Sequence, residues 1–159
     1  AMIHNGNPIM GVIYVPVTQE LYFAMENLGS FKSSRNLPID NLDSLIAESD
    51  KLPIDYKRDK YIIVGSRSHM SVETEEFFEE KMQEYGNVEV MGVGSSLKLC
   101  MVAEGKADAY PRYAPTMEWD IAAGHAIAKF AGFSVVQYHT TKEIVYNKED
   151  LLNPWFLVK

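Results

Sequence analysis

Cysteine is nearly absent from this chain: its 159 residues include only Cys100. A lone thiol excludes an internal disulfide framework and a cysteine-built metal site, and it points to a reducing cytoplasm. Cationic excess is also missing, with 15 Lys and Arg against 22 Asp and Glu and a net charge of −7. That balance argues against nonspecific binding of nucleic acid or of an anionic membrane surface. Any anionic ligand must therefore be met by a few placed cations. No apolar run approaches the roughly 18 residues that a membrane span needs, so no stable span is expected. Ala1-Met2-Ile3-His4 lacks the basic and apolar regions of a signal peptide, and Ala1 before Met2 reads as an expression remnant or a cut point. No internal repeat or low-complexity tract is visible.

What is present suits one domain with an ordinary core, since 47% of the residues are hydrophobic. Met2 to His4 reads as a strand end before the Asn5-Gly6-Asn7-Pro8 turn. Met10 to Val15 and Glu20 to Met25 read as an antiparallel pair, followed by a short third strand at Phe31-Lys32. Residues 33–60 are polar, broken by Pro38 and Pro53, and predict only a short helix from about Asn41 to Glu48. The pattern then changes to strand, loop and helix. Tyr61 to Val64 is a strand buried on both faces, Gly65 to His69 a polar loop, and Val72 to Tyr85 an acidic helix with Met82 as a core filler. Val88 to Val93, Gly94-Ser95-Ser96 and the helix Leu97 to Glu104, closed by Gly105, repeat the arrangement. Strands are further expected over Ala107 to Tyr110, Ser134 to Tyr138, Glu143 to Tyr146 and Phe156 to Val158, with Leu151 and Trp155 in the core. The expected fold is α/β, a mixed β-sheet with flanking helices.

Chemistry concentrates at a few loops. Open α/β sheets present polar side chains at the carboxyl ends of their strands, which is where Ser66, Arg67 and His69 fall. The free N–H groups and hydroxyls at Ser95-Ser96, with Lys98 in the first helical turn, form a candidate anion site. Arg112, after Tyr110-Pro111, adds a guanidinium suited to bidentate phosphate recognition. A plain serine cap with Lys98 turned to water remains open beside this reading. Trp119-Asp120-Ile121-Ala122-Ala123-Gly124-His125 predicts a buried tryptophan and then a helix over Asp120 to Ala131. Asp120 at its start either caps N–H groups or holds a hard divalent cation with its second oxygen.

These segments occur together and in order: Ser-Arg-Ser-His at 66–69, Gly-Ser-Ser-Leu-Lys at 94–98, Ala-Glu-Gly-Lys-Ala-Asp-Ala-Tyr-Pro-Arg at 103–112 and Trp-Asp-Ile-Ala-Ala-Gly-His. The set resembles the 3′(2′),5′-bisphosphate nucleotidases of sulfur assimilation, a branch of the inositol monophosphatase superfamily. The resemblance runs from the opening Asn-Gly-Asn-Pro to the closing Asn-Pro-Trp-Phe. It implies the layered inositol monophosphatase and fructose-1,6-bisphosphatase-like fold. It also implies Mg²⁺ with Asp120 as one ligand, and a nucleotide bisphosphate substrate held by His69, Ser95, Lys98 and Arg112, with Ser66, Arg67 and Ser96 nearby. The family's Asp-Pro-hydrophobic-Asp-Gly-Thr motif is absent and would precede Ala1. The chain therefore resembles the C-terminal lobe of such an enzyme, expected to be inactive alone and able to self-associate through the surface its missing lobe would cover. An inositol-phosphate phosphatase and a silent nucleotide-binding fragment are the alternatives.

Overall fold

The structure, a computed structural model, describes residues 1–34, 41–65 and 71–159. Its first half is a meander. β1 (Met2–His4), β2 (Asn7–Val15), β3 (Glu20–Met25), β4 (Gly29–Ser33) and β5 (Asp50–Lys51) form a five-stranded antiparallel sheet in sequence order. Asn5 and Gly6 both take positive φ, 48° and 75°, which gives the Asn-Gly hairpin turn its twist. Helix α1 (Leu42–Ala47) is capped by the Asn41 side chain, which accepts from Ser44 N–H at 2.9 Å.

The second half alternates. β6 (Tyr61–Gly65) pairs in parallel with β7 (Val88–Gly92) across helix α2 (Val72–Tyr85), and helix α3 (Leu97–Glu104) leads on to β8 (Tyr110–Arg112). Helix α4 (Glu118–Phe130), β9 (Val135–Gln137) and β10 (Phe156–Val158) complete the chain, and β10 lies antiparallel between β8 and β9. A parallel bridge from Ile63 to Ala109 joins the two smaller sheets along one line, so the second layer is mixed, as the alternation of strand and helix predicts.

α3 and α4 pack against each other, and α4 lies on β2, β3 and β4. Small residues make this possible. A Cβ at Gly11 would stand 2.3 Å from the Ala123 carbonyl oxygen, and one at Gly124 would stand 2.8 Å from Leu99 Cβ. One network gathers several buried polar groups around Glu104. The Glu104 carboxylate, 1% exposed, accepts from Tyr22 Oη and Tyr56 Oη at 2.8 Å each, Lys32 Nζ at 3.0 Å and Lys106 Nζ at 2.7 Å. Burial alone would raise its pKa, but these donors outweigh burial and bring it down to about 2.

Several expectations are corrected. Trp119 is 66% exposed, because the inward face of α4 is taken by Ile121, Ala122, Gly124, His125 and Ala128. Met82, Leu151 and Trp155 also stand exposed. α4 begins at Glu118, two residues before Asp120, and ends at Phe130. Glu143 to Tyr146 forms no ladder: Ile144 N–H bonds Val135 O and Tyr146 N–H bonds Gly6 O, so its backbone serves two different segments. The strand expected over Ala107 to Tyr110 lies at Tyr110–Arg112, the part that β10 pairs.

His125 is fully buried, with Nδ1 2.8 Å from Tyr146 Oη and Nε2 3.9 Å from Glu143 Oε2. Burial pulls its pKa down to about 4, with Glu143 opposing and Lys129 adding to the shift. The unfolded chain therefore takes up the proton first. Stability is expected to be full above about pH 6.5 and to fall as the pH drops toward 4, by at most about 3 kcal/mol. Denaturant titrations of the parent and His125→Asn should differ in slope through that window; identical pH profiles would refute the assignment. Glu104 adds a further loss only below about pH 4.5.

Candidate functional site

A cleft of about 450 Å³ opens where the start of α3, the end of β8 and the start of α4 meet. Its walls include Ser95, Ser96, Lys98, Tyr110, Arg112, Thr116, Trp119 and Asp120. The chain brings these together through two turns. Ser95 stands in the left-handed region at φ 54°, which swings the chain from β7 into α3, and Ser96 occupies the cap position without a side-chain cap bond. Its hydroxyl is therefore not spent on the helix. Arg112 Nη2 donates to Pro115 O at 3.1 Å, tying the end of β8 to the loop that enters α4.

The electrostatics of the cleft are unbalanced. Lys98 does not turn to water; it is half-buried, with Nζ 5.5 Å from the Tyr110 ring centroid. Burial and then the nearby Arg112 charge lower its pKa. Arg112 Nε is buried with no hydrogen-bond partner among the described residues. No described carboxylate pairs with either cation, although the chain as a whole is acidic. Two cations that line one cleft, neither of them ion-paired to a described carboxylate, suit an anionic ligand.

Asp120 lines the same cleft. It is the third residue of α4, and Oδ2 accepts from Met117 N–H at 2.8 Å, the return half of a capping box. The two readings of Asp120 are thus compatible, since one oxygen caps and the exposed carboxylate still has Oδ1 to offer. One carboxylate fits a hard cation as a single ligand, and such a cation takes about six. Among the described residues no cluster of three or more His, Cys, Asp or Glu completes a set. Ser66, Arg67 and His69 lie outside the described residues.

The expected Ser95, Ser96, Lys98, Arg112 and Asp120 line one cleft. Sequence reasoning missed Tyr110, Thr116 and the position of Trp119 at the rim. Trp119 carried a signal: in a helix starting at Glu118 it sits one step off the apolar face.

Fold and cleft together define a layered α/β protein with a cation-lined cleft beside a helix-borne carboxylate. The profile of the inositol monophosphatase family matches residues 1–155, and the chain belongs to that family. It is 37% identical over 158 residues to the 3′(2′),5′-bisphosphate nucleotidase CysQ of Escherichia coli K12, covering 99% of this chain and 57% of that protein. The corresponding CysQ of Haemophilus influenzae is 28% identical, with 99% and 54% covered. The crystal structure of CysQ from Bacteroides thetaiotaomicron superposes with a TM-score of 0.92 at 52% identity, over 99% of this chain and 59% of that one. Inositol monophosphatase II of Staphylococcus aureus, at 20% identity and a TM-score of 0.65 over 98% of this chain and 53% of that one, shares the fold. The chain thus spans little more than half the length of these relatives.

If Lys98 and Arg112 await an anion, Lys98→Met relieves a like-charge contact. It is expected to raise the melting midpoint by about 1–2 °C at low salt, on the order of 0.5 kcal/mol. Inorganic phosphate should stabilise the parent and no longer stabilise the variant. Equal phosphate stabilisation of both proteins would show that the anion binds elsewhere.

Proposed function

We propose that this chain is the nucleotide- and phosphate-holding part of a cytoplasmic Mg²⁺-dependent phosphatase of sulfur assimilation, which converts adenosine 3′,5′-bisphosphate to AMP and phosphate. The supporting observation is the cleft that Lys98 and Arg112, neither ion-paired to a described carboxylate, line together with Asp120. The names of the relatives agree with a doubly phosphorylated nucleoside as substrate. In the reaction, water forms a new bond to phosphorus while the bond to the 3′-oxygen breaks and that oxygen gains a proton. Asp120 Oδ1 would be one ligand of Mg²⁺, which when bound activates the water and neutralises charge on the phosphoryl group.

The other side chains bind and orient. Arg112 and Lys98 hold the phosphate that is not cleaved, and the Ser95 and Ser96 hydroxyls donate to its oxygens. Ser66, Arg67 and His69 are assigned to the same pocket on resemblance alone. Two cations suit a bisphosphate better than an inositol monophosphate, which is the neighbouring reading within the family. A single carboxylate does not assemble a metal cluster, so the 159 residues alone are expected to be inactive and to act as a binding module. Calorimetry with adenosine 3′,5′-bisphosphate should show binding that Arg112→Ala weakens about ten-fold or more, and inositol monophosphate should bind less tightly. Equal affinity for the two ligands, or no loss in the variant, would refute the assignment. Mg²⁺-dependent phosphate release that Asp120→Asn abolishes would refute the expected inactivity.

The outer face of the five-stranded sheet supports self-association of the isolated chain. Met2, Met10 and Met25 form one cross-strand row, Val12 and Phe23 a second, and Tyr14 and Leu21 a third. Val12 is 50% exposed, and Met2, Tyr14 and Met25 are exposed beside it. Phe23 itself is buried, and the exposed Met2, Val12, Tyr14 and Met25 form an apolar patch of the kind that marks an interaction surface. Sedimentation equilibrium should show concentration-dependent association that Val12→Lys reduces; a monomer at every concentration would contradict this.

A further inference from the structure

The start of α4 is fastened from outside the helix. Glu118, its first residue, is a carboxylate yet only 7% exposed. It accepts from Asn147 N–H at 2.8 Å, from Lys148 N–H at 3.2 Å and from the Lys148 ammonium, while its own N–H donates to Leu151 O at 3.0 Å. Asn147 takes a left-handed φ of 60°, which lets two successive N–H groups turn to one carboxylate. Met117 bridges Leu152 in antiparallel fashion, Asn153 N–H donates to Thr116 O at 2.8 Å, and Asn153 Nδ2 lies 3.2 Å from Thr116 Oγ1. Residues 147–153 are thereby wrapped across the helix start.

A helix start needs no such wrapping to be stable, because water or one short polar side chain satisfies its free N–H groups. What the wrap fixes in addition is the backbone of Met117. That N–H is the donor that holds Asp120 Oδ2 at 2.8 Å and so determines where Oδ1 points. Glu118 lies between the two, bonded to the wrapping segment and covalently next to Met117.

We propose that Glu118 is a positioning residue for Asp120: by holding residues 147–152 across the start of α4 it fixes the Met117 N–H, and through it the carboxylate aimed into the cleft. The inference rests on the reading of Asp120 as a cation ligand. Glu118 does not itself line the cleft. Partners that orient a ligand in this way change metal affinity while the ligand itself is unaltered.

The test is a Mn²⁺ titration of the ¹⁵N-labelled chain, followed by paramagnetic broadening of the Asp120 amide and the Trp119 indole. Glu118→Gln should raise the Mn²⁺ concentration for half-broadening about ten-fold, while hydrogen exchange of residues 127–130 stays as in the parent. Lys148→Met, which leaves both backbone donors to Glu118, should raise it less. Equal Mn²⁺ dependence in parent and variants overturns the inference and leaves Asp120 as a ligand. A parent chain in which Mn²⁺ broadens neither probe overturns the reading of Asp120 and the inference with it. Should Glu118→Gln fail to fold, Lys148→Met decides: an unchanged titration refutes the positioning role, and a rightward shift supports it.

Discussion

The close approach of α4 to its neighbours is the constraint on which the rest of the structure depends. On one side Gly11 lets the Ala123 carbonyl approach the sheet, and on the other Gly124 accepts the Leu99 side chain of α3. A helix gripped on two faces cannot rotate or slide without overlap, because packed interiors offer no slack. Its first turn therefore projects from a fixed point, and the cleft is built around that projection. Trp119 and Asp120 emerge where the helix leaves the core, and the loop tied by Arg112 enters at the same place.

The interior contains charges as well as apolar groups, and the arrangement separates two roles for cations. Lys32 and Lys106 are matched to Glu104 inside the helix layer, where an unmatched carboxylate would be strongly destabilising. Lys98 and Arg112 have no such match among the described residues. In an acidic chain, unmatched cations in a cleft are conspicuous, and they are the strongest physical pointer to an anion. The cleft is thus a local departure from the acidic character of the chain as a whole.

Much of this was legible in the amino-acid order. Elements whose pattern is local were read closely: β3, α2, α3 and β10 have the boundaries that periodicity and punctuation imply, and Gly105 closes α3 in the left-handed conformation. Errors arose where the outcome depends on distant partners. Ile144 and Tyr146 alternate as a strand should, yet Val135 and Gly6 claim their backbone groups separately. Trp119 looked like core by residue type and is exposed because small residues won the inner face of α4. Ser95, Ser96, Lys98, Arg112 and Asp120 were read first from their places at helix starts and a strand end and then from the family resemblance, and the fold gathers them in one place. Glu118 was not singled out, since an acidic residue before a helix looks like ordinary dipole complementation, and its partners lie about thirty residues further on.

The strand that bears Arg112 has a consequence for synthesis. β8 is three residues long and finds its antiparallel partner in β10, with Arg112 opposite Phe156. A growing chain can form the first sheet, the α3 turn and α4 well before residues 156–158 are made. Until then the edge beside Arg112 lacks its β10 partner, and the guanidinium is held by the Pro115 carbonyl without the sheet behind it. The wrap that holds the start of α4 comes from residues 147–153, just ahead of β10, so both walls of the cleft depend on the last stretch described. The cleft thus takes its final shape only when a strand distant in sequence closes the sheet.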